Sequence, residues 1–78
     1  MNYMKLFKSK AEKQLDSIID EIKVNLENNY KSIAHDARRR LGEMIEKLRA
    51  EGQLCDKSYM EYRRIYEDYT EKMKDYHH

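Results

Sequence analysis

The sequence predicts an all-α protein, a long amphipathic helix followed by a short antiparallel one in a helical hairpin. Three observations predict it. Apolar residues recur at Leu15, Ile19, Ile22, Leu26, Tyr30, Ile33, Ala37, Leu41, Met44 and Leu48, in steps of three and four that a helix brings to one face. The 78 residues include no proline and only two glycines, Gly42 and Gly52, so few positions can break a helix. A second stripe, Tyr59, Tyr62, Tyr66, Tyr69, Met73 and Tyr76, follows a glycine-containing turn with the same spacing.

In chain order, the first marked start is Ser9-Lys10-Ala11-Glu12. This is a capping box, in which the serine oxygen and the Glu12 side chain each accept an orphan backbone N–H. Met4, Phe7 and Ala11 extend the stripe backward from it. From Leu15 to Leu48 nine steps cover 33 residues, about 3.67 residues per step, a period that gives a nearly straight helix. Glu27 with Lys31, Asp36 with Arg40 and Glu43 with Lys47 place acid before base on the exposed side.

Asn28-Asn29 is the point of decision. The stripe keeps register through it, by way of Leu26, Tyr30 and Ile33, and no glycine stands there to end a helix. These features favour one continuous helix over residues 9–51. The alternative is a monomeric three-helix bundle broken near Asn28-Asn29, since asparagine is a poor helix former that tolerates the left-handed conformation and can also cap a second helix.

Gly52 is the expected stop, with Leu54 able to fold back on the preceding turn. The turn covers residues 52–57. Two start signals then overlap: Asp56 as a cap with Cys55 and Met60 as a hydrophobic staple, and the capping box Ser58-Tyr59-Met60-Glu61. The last helix spans residues 58–76.

The chain makes one domain, near the size at which a lone core supplies only about 3–5 kcal/mol. A continuous first helix would span about 64 Å and the last one about 28 Å, so the latter covers only the half from about Ala34 to Leu48. Leu15, Ile19, Ile22 and Leu26 would then face water, and covering each is worth about 1.5–3 kcal/mol. A homodimer pairing these halves is the simplest expectation; another helical protein is the other candidate partner.

The balance of 16 Lys and Arg against 15 Asp and Glu argues against a dedicated nucleic-acid or membrane-surface binder. No run approaches the roughly 18 apolar residues of a membrane span. The first residues do not form a signal peptide, and a single cysteine precludes an internal disulfide, so a cytoplasmic setting is expected. No cofactor is implied.

The candidate surfaces are two. An association surface would use Phe7, Leu15, Ile19, Ile22 and Leu26 together with Tyr59, Tyr62, Tyr66 and Tyr69, because tyrosine combines large contact area with a polar tip. The ordinary reading of a tyrosine stripe, an internal packing face with hydroxyls reaching the rim, stands beside it. A basic surface would use Lys31, His35, Arg38 and Arg49 on one helix face, joined by Arg63 and Arg64, and would suit nucleic-acid phosphates. Its ordinary reading is a solvated flank interspersed with Asp36, Glu43 and Glu46. A third idea places the lysine-rich start, with Leu6 and Phe7, on an anionic membrane surface, which the near-neutral charge makes unfavourable.

Gly42 sits mid-helix at a cost of about 1 kcal/mol relative to alanine; it either permits close approach of another helix or a tyrosine ring, or is simply tolerated on an exposed face. His35 has no ligand partners at metal spacing, and His77-His78 read as a tail or tag remnant. Cys55 reads as a small apolar staple. With acids spread over solvent positions and neither a nucleophile–base set nor a phosphate loop, the expected function is a small non-enzymatic protein–protein interaction or assembly module.

Overall fold

The computed structural model describes residues 8–75. Among them the chain forms α1 (Lys10–Glu27), α2 (Lys31–Ala50) and α3 (Asp56–Met73), and no strand. The continuous helix is therefore corrected to two. A helix over residues 9–51 would need about 64 Å, yet the longest dimension of the molecule is 40 Å.

The capping box at the start of α1 forms as expected. The Glu12 amide donates to Ser9 Oγ at 3.1 Å, and the Ser9 amide donates to Glu12 Oε1 at 3.0 Å. At the far end Asn29 takes a φ of 64°, the left-handed position that glycine usually fills. The Tyr30 amide then donates to Asn25 O at 2.8 Å and the Asn29 amide to Leu26 O at 3.1 Å. This is a Schellman motif, which satisfies the last carbonyls of α1. Tyr30 opens α2 without a side-chain cap, so Asn29 ends one helix instead of capping the next.

The same device closes α2. Gly52 has φ 74°, its amide donates to Arg49 O at 3.0 Å, and the Gln53 amide donates to Leu48 O at 2.9 Å. Leu54 tucks into the core at 4% exposure. The signals read after it are revised. Cys55, not Asp56, is the cap position of α3, and Met60 is 69% exposed, so the two form no staple. Ser58 lies inside α3 instead of capping it, and its hydroxyl donates across the fold to Glu12 Oε2 at 2.6 Å.

The helices run up, down and up. Tyr59 reaches Glu46 while Arg38 reaches Thr70, which sets α3 antiparallel to α2. Ser58 with Glu12 and Tyr62 with Asp16 set α3 parallel to α1. The core lies between all three, with Leu15, Ile22, Leu41, Ile45 and Met73 fully buried. Leu15, Ile19 and Ile22 thus have their mates within the chain, and Leu26 packs half-buried against the same cluster. The expectation that this half of the stripe faces water is overturned.

Charge supports the same arrangement. In α2, six bases (Lys31, Arg38, Arg39, Arg40, Lys47, Arg49) face three acids (Asp36, Glu43, Glu46), whereas in α1 five acids (Glu12, Asp16, Asp20, Glu21, Glu27) outnumber three bases (Lys10, Lys13, Lys23). Arg40 bridges to Glu21 of α1 at 2.6 Å and Arg49 pairs with Asp56 of α3. Both pairs are partly exposed, and such pairs favour register more than they add stability.

Candidate interaction surfaces

The tyrosines of α3 mostly turn inward, each by a different route. Tyr62 is 4% exposed and donates to Asp16 Oδ1 at 2.8 Å. Burial and the Asp16 carboxylate together hold its phenol neutral, pushing its pKa up to about 12. The Lys8 ammonium completes this clasp, 2.7 Å from Asp16 Oδ2 and 6.0 Å from the Tyr62 ring centre. One turn earlier, hydrogen bonds from Ser58 and from the Ser9 amide hold the Glu12 carboxyl below its ordinary range. One carboxylate therefore joins the start of α1 to the first turn of α3.

Tyr66 lies over Gly42. A Cβ at Gly42 would sit 2.7 Å from the Tyr66 ring, which accounts for the mid-helix glycine by close approach of a tyrosine. Tyr59 donates to Glu46 Oε2 at 2.9 Å, and Tyr69 lies half-buried between α3 and α1. Phe7 and Tyr76 lie outside the described residues, as do His77 and His78.

The predicted basic residues divide. Arg49 stacks over Tyr59 at 4.9 Å, Arg63 over Tyr66 at 5.0 Å, and Arg38 approaches the same Tyr66 ring at 5.9 Å. The fold thus gathers three of the six onto one α2–α3 face, interleaved with two tyrosines. Two of these three are already engaged by acids: Arg49 by Asp56, and Arg63 by Glu46 at 3.3 Å and Glu67 at 3.1 Å. Arg38 donates to neutral groups, the Thr70 hydroxyl at 3.3 Å and the Tyr66 hydroxyl at 3.5 Å. Lys31 and His35 are half-buried on α2, and Arg64 is exposed on α3. The consecutive Arg38, Arg39 and Arg40 point apart, with Arg39 bonded to Asp36 and Glu43 and Arg40 to Glu21 and Asp36.

The exposed apolar surface lies where sequence reasoning did not place it. Val24 (51%), Tyr30 (56%) and Ile33 (51%) flank the α1–α2 turn, and Met60 stands apart on α3. Tyr30 and Ile33 belong to the predicted stripe but fall outside the core, while Val24 is off the stripe altogether. Only a break at Asn29 could have singled them out. A second feature is an open furrow of about 360 Å³ between α1 and α3, lined by Ile19, Lys23, Ile65, Asp68, Tyr69 and Lys72.

Cys55 is exposed, and hydrogen bonding from Ser58 and from the first backbone amides of α3 lowers its thiol pKa. Among the described residues no cluster of three His, Cys, Asp or Glu is arranged to hold a metal. Nor is any helix among them long and apolar enough to cross a membrane. No family model matches the chain, and neither the curated proteins nor the solved structures compared with it include a match. What the fold defines is a small three-helix protein whose distinctive features are surfaces.

Proposed function

We propose that this chain is a small non-enzymatic interaction or assembly module acting through apolar helix surface. The observation that carries the reading is the grouping of Val24, Tyr30 and Ile33 about one end of the α1–α2 pair, each more than half exposed. Large apolar side chains exposed toward one end of a small helical protein are the natural candidates for an association surface. The original ground for a homodimer, an uncovered Leu15–Leu26 half, is gone. A second copy or another helical protein would instead meet the turn end of the molecule.

Sedimentation over the micromolar range, with affinity capture from the native cell, tests the reading on the full chain and on a Val24→Ser, Tyr30→Ser, Ile33→Ser variant. Self-association or capture that falls in the variant is the expected result. A chain that stays monomeric, and captures the same proteins with and without the patch, overturns it.

A second reading is nucleic-acid binding through the α2–α3 face. The observation favouring it is the interleaving of Arg38, Arg49 and Arg63 with Tyr59 and Tyr66, since basic groups take phosphates and rings take bases. Against it, the acids on Arg49 and Arg63 would have to be displaced. A mobility shift with random RNA and DNA at about 50 mM and 200 mM salt decides: no binding at the lower salt removes this reading.

A further inference from the structure

The hinge between α1 and α2 is short, and a straight helix would relieve what is unfavourable in it. Asn29 reverses the chain from the left-handed conformation, at φ 64°. Tyr30 opens α2 without giving its first amides a side-chain acceptor. Tyr30 and Ile33 lie on the stripe that continues as Ala37 and Leu41, yet they are 56% and 51% exposed because the hairpin ends beside them. With residues 28–30 helical, the amides of Lys31, Ser32 and Ile33 would meet the carbonyls of Glu27, Asn28 and Asn29. Leu26, Tyr30, Ile33 and Ala37 would then form one unbroken apolar line.

The register of the α1–α2 seam determines what covers that line. The two helices are antiparallel, and Glu21 stands opposite Arg40. The midpoint of this register falls between Tyr30 and Lys31. Two straightened copies side by side in the same register therefore have their dyad at that point. Each α1 lies on the other copy's α2, and Tyr30 and Ile33 of one copy meet Leu26, Tyr30 and Ile33 of the other. The buried layer of Leu15, Ile22, Ala37, Leu41 and Ile45 is rebuilt without change, as are the bonds of Ser58 to Glu12 and Tyr62 to Asp16, now between copies. From Val24 to Ala34 the charged side chains are Glu27 and Lys31, one of each sign, so no like-charge cluster opposes the contact.

We infer that two copies of this chain exchange their α1 helices, opening the hinge at Asn28-Asn29 and covering Tyr30 and Ile33 at the dyad. Val24, off the stripe, stays outside. Exchange of an identical element is a low-cost route to a dimer, because the core contacts are the same in both states. The balance is then set by the hinge and by protein concentration. Since α1 must leave both α2 and α3 to exchange, monomer and dimer interconvert slowly. The inference rests on the association reading and gives it a partner, a second copy, and a mode.

The test unfolds the full chain in urea and refolds it at micromolar and at millimolar concentration. Dimer should form at the higher concentration and persist on dilution, where a dimer held by surface contact would dissociate at once. Spin labels at Gln14→Cys and Lys47→Cys, in a Cys55→Ser chain mixed with excess unlabelled chain, report the distance within one copy. Both positions are exposed. Lys47 borders a crevice with Ile18, one turn from Gln14, so the labels are close in the monomer. In the exchanged dimer they stand 33 residues apart on one helix, about 50 Å, beyond the 40 Å length of the monomer. Asn29→Ala should raise the association constant about tenfold or more, because alanine disfavours the left-handed turn and favours the helix in both copies. Asn29→Gly should lower it.

A native chain that refolds only as monomer at both concentrations overturns the inference, as does an association constant that is the same in the two variants. A dimer whose labels stay close within each copy also overturns it, while leaving association at the turn end standing. The association reading fails separately, by the sedimentation and capture results given for it.

Discussion

The α1–α2 seam and the α3 interface hold the same molecule together by different means. Along the seam, Leu15, Ile22, Ala34, Ala37, Leu41 and Ile45 are all at 0% exposure. They are aliphatic, close-fitting and indifferent to pH. From α3 only Tyr62 and Met73 are fully within the core. The rest of its attachment comes from half-buried Ile65, Tyr59, Tyr66 and Tyr69, of which Tyr59 and Tyr66 meet charged groups through hydroxyl or ring face. An aliphatic seam resists opening by burial alone, whereas a tyrosine interface divides its stability between burial and hydrogen bonds that titrate. The difference teaches that α3 is the element whose attachment responds most to solvent and pH.

Substitutions can sharpen this contrast. The largest effect belongs to the seam: Ile22→Ala or Leu41→Ala should cost about 2–5 kcal/mol in urea unfolding, because each leaves a cavity in a closed aliphatic layer. Loss of that size should unfold all three helices together, as seen by circular dichroism. A loss confined to α3 would break the contrast.

Gly42→Ala comes next. Helix propensity would favour alanine by about 1 kcal/mol. The added Cβ would meet the Tyr66 ring at 2.7 Å, and overpacking of this kind costs about 1–3 kcal/mol. A net loss of roughly 1 kcal/mol is expected. With Tyr66→Leu already in place, the same change should become stabilising, and this double-mutant comparison isolates the contact.

Tyr62→Phe should cost about 1 kcal/mol by removing the donor to Asp16. Its signature is regional: amide exchange should quicken in α3 before it quickens in α2. The same clasp sets a pH response at both extremes. The folded pKa of Tyr62, about 12, lies above its ordinary 10.0, so its contribution is complete below pH 10 and is lost as pH rises through 12. Glu12 is held below its ordinary 4.5, so its contribution is present above that value and is lost as pH falls through the lowered one. Tyr62→Phe should flatten the alkaline limb and Glu12→Gln the acid limb of a plot of stability against pH.

The smallest change concerns the α1–α2 turn. Asn29→Gly should stabilise by a few tenths of a kcal/mol, because glycine holds the left-handed conformation without strain. A destabilised variant would mean that the asparagine side chain contributes to the turn in its own right.

Much of the helical layout was legible in the residues. Ser9 and Glu12 form the expected box, Gly52 ends α2, and Leu54 folds back onto it. The tyrosine stripe packs as a helix face, and Tyr66 explains Gly42. The start of α3 was misread because Ser58 and Glu61 have capping-box spacing, yet Ser58 lies inside the helix and its hydroxyl donates to Glu12 across the fold. Nothing local reveals that distant carboxylate. The candidate surfaces were hardest to see, since an apolar residue on a helix reads the same whether it is buried or exposed.

The sequence by itself determined that the chain is helical, where its first helix begins, and where its second glycine stops a helix. Only the tertiary structure decided whether residues 9–51 were one helix or two. The apparent continuity rested on Leu26, Tyr30 and Ile33 keeping the stripe in step, yet Tyr30 and Ile33 are more than half exposed. The stripe had the same phase on either side of the break by coincidence. Asparagine in the left-handed position costs less there than in most residues, and folding back covers Leu15, Ile19 and Ile22 at about 1.5–3 kcal/mol each. Burial outweighs the turn, and that comparison exists only once α1 has α2 and α3 beside it.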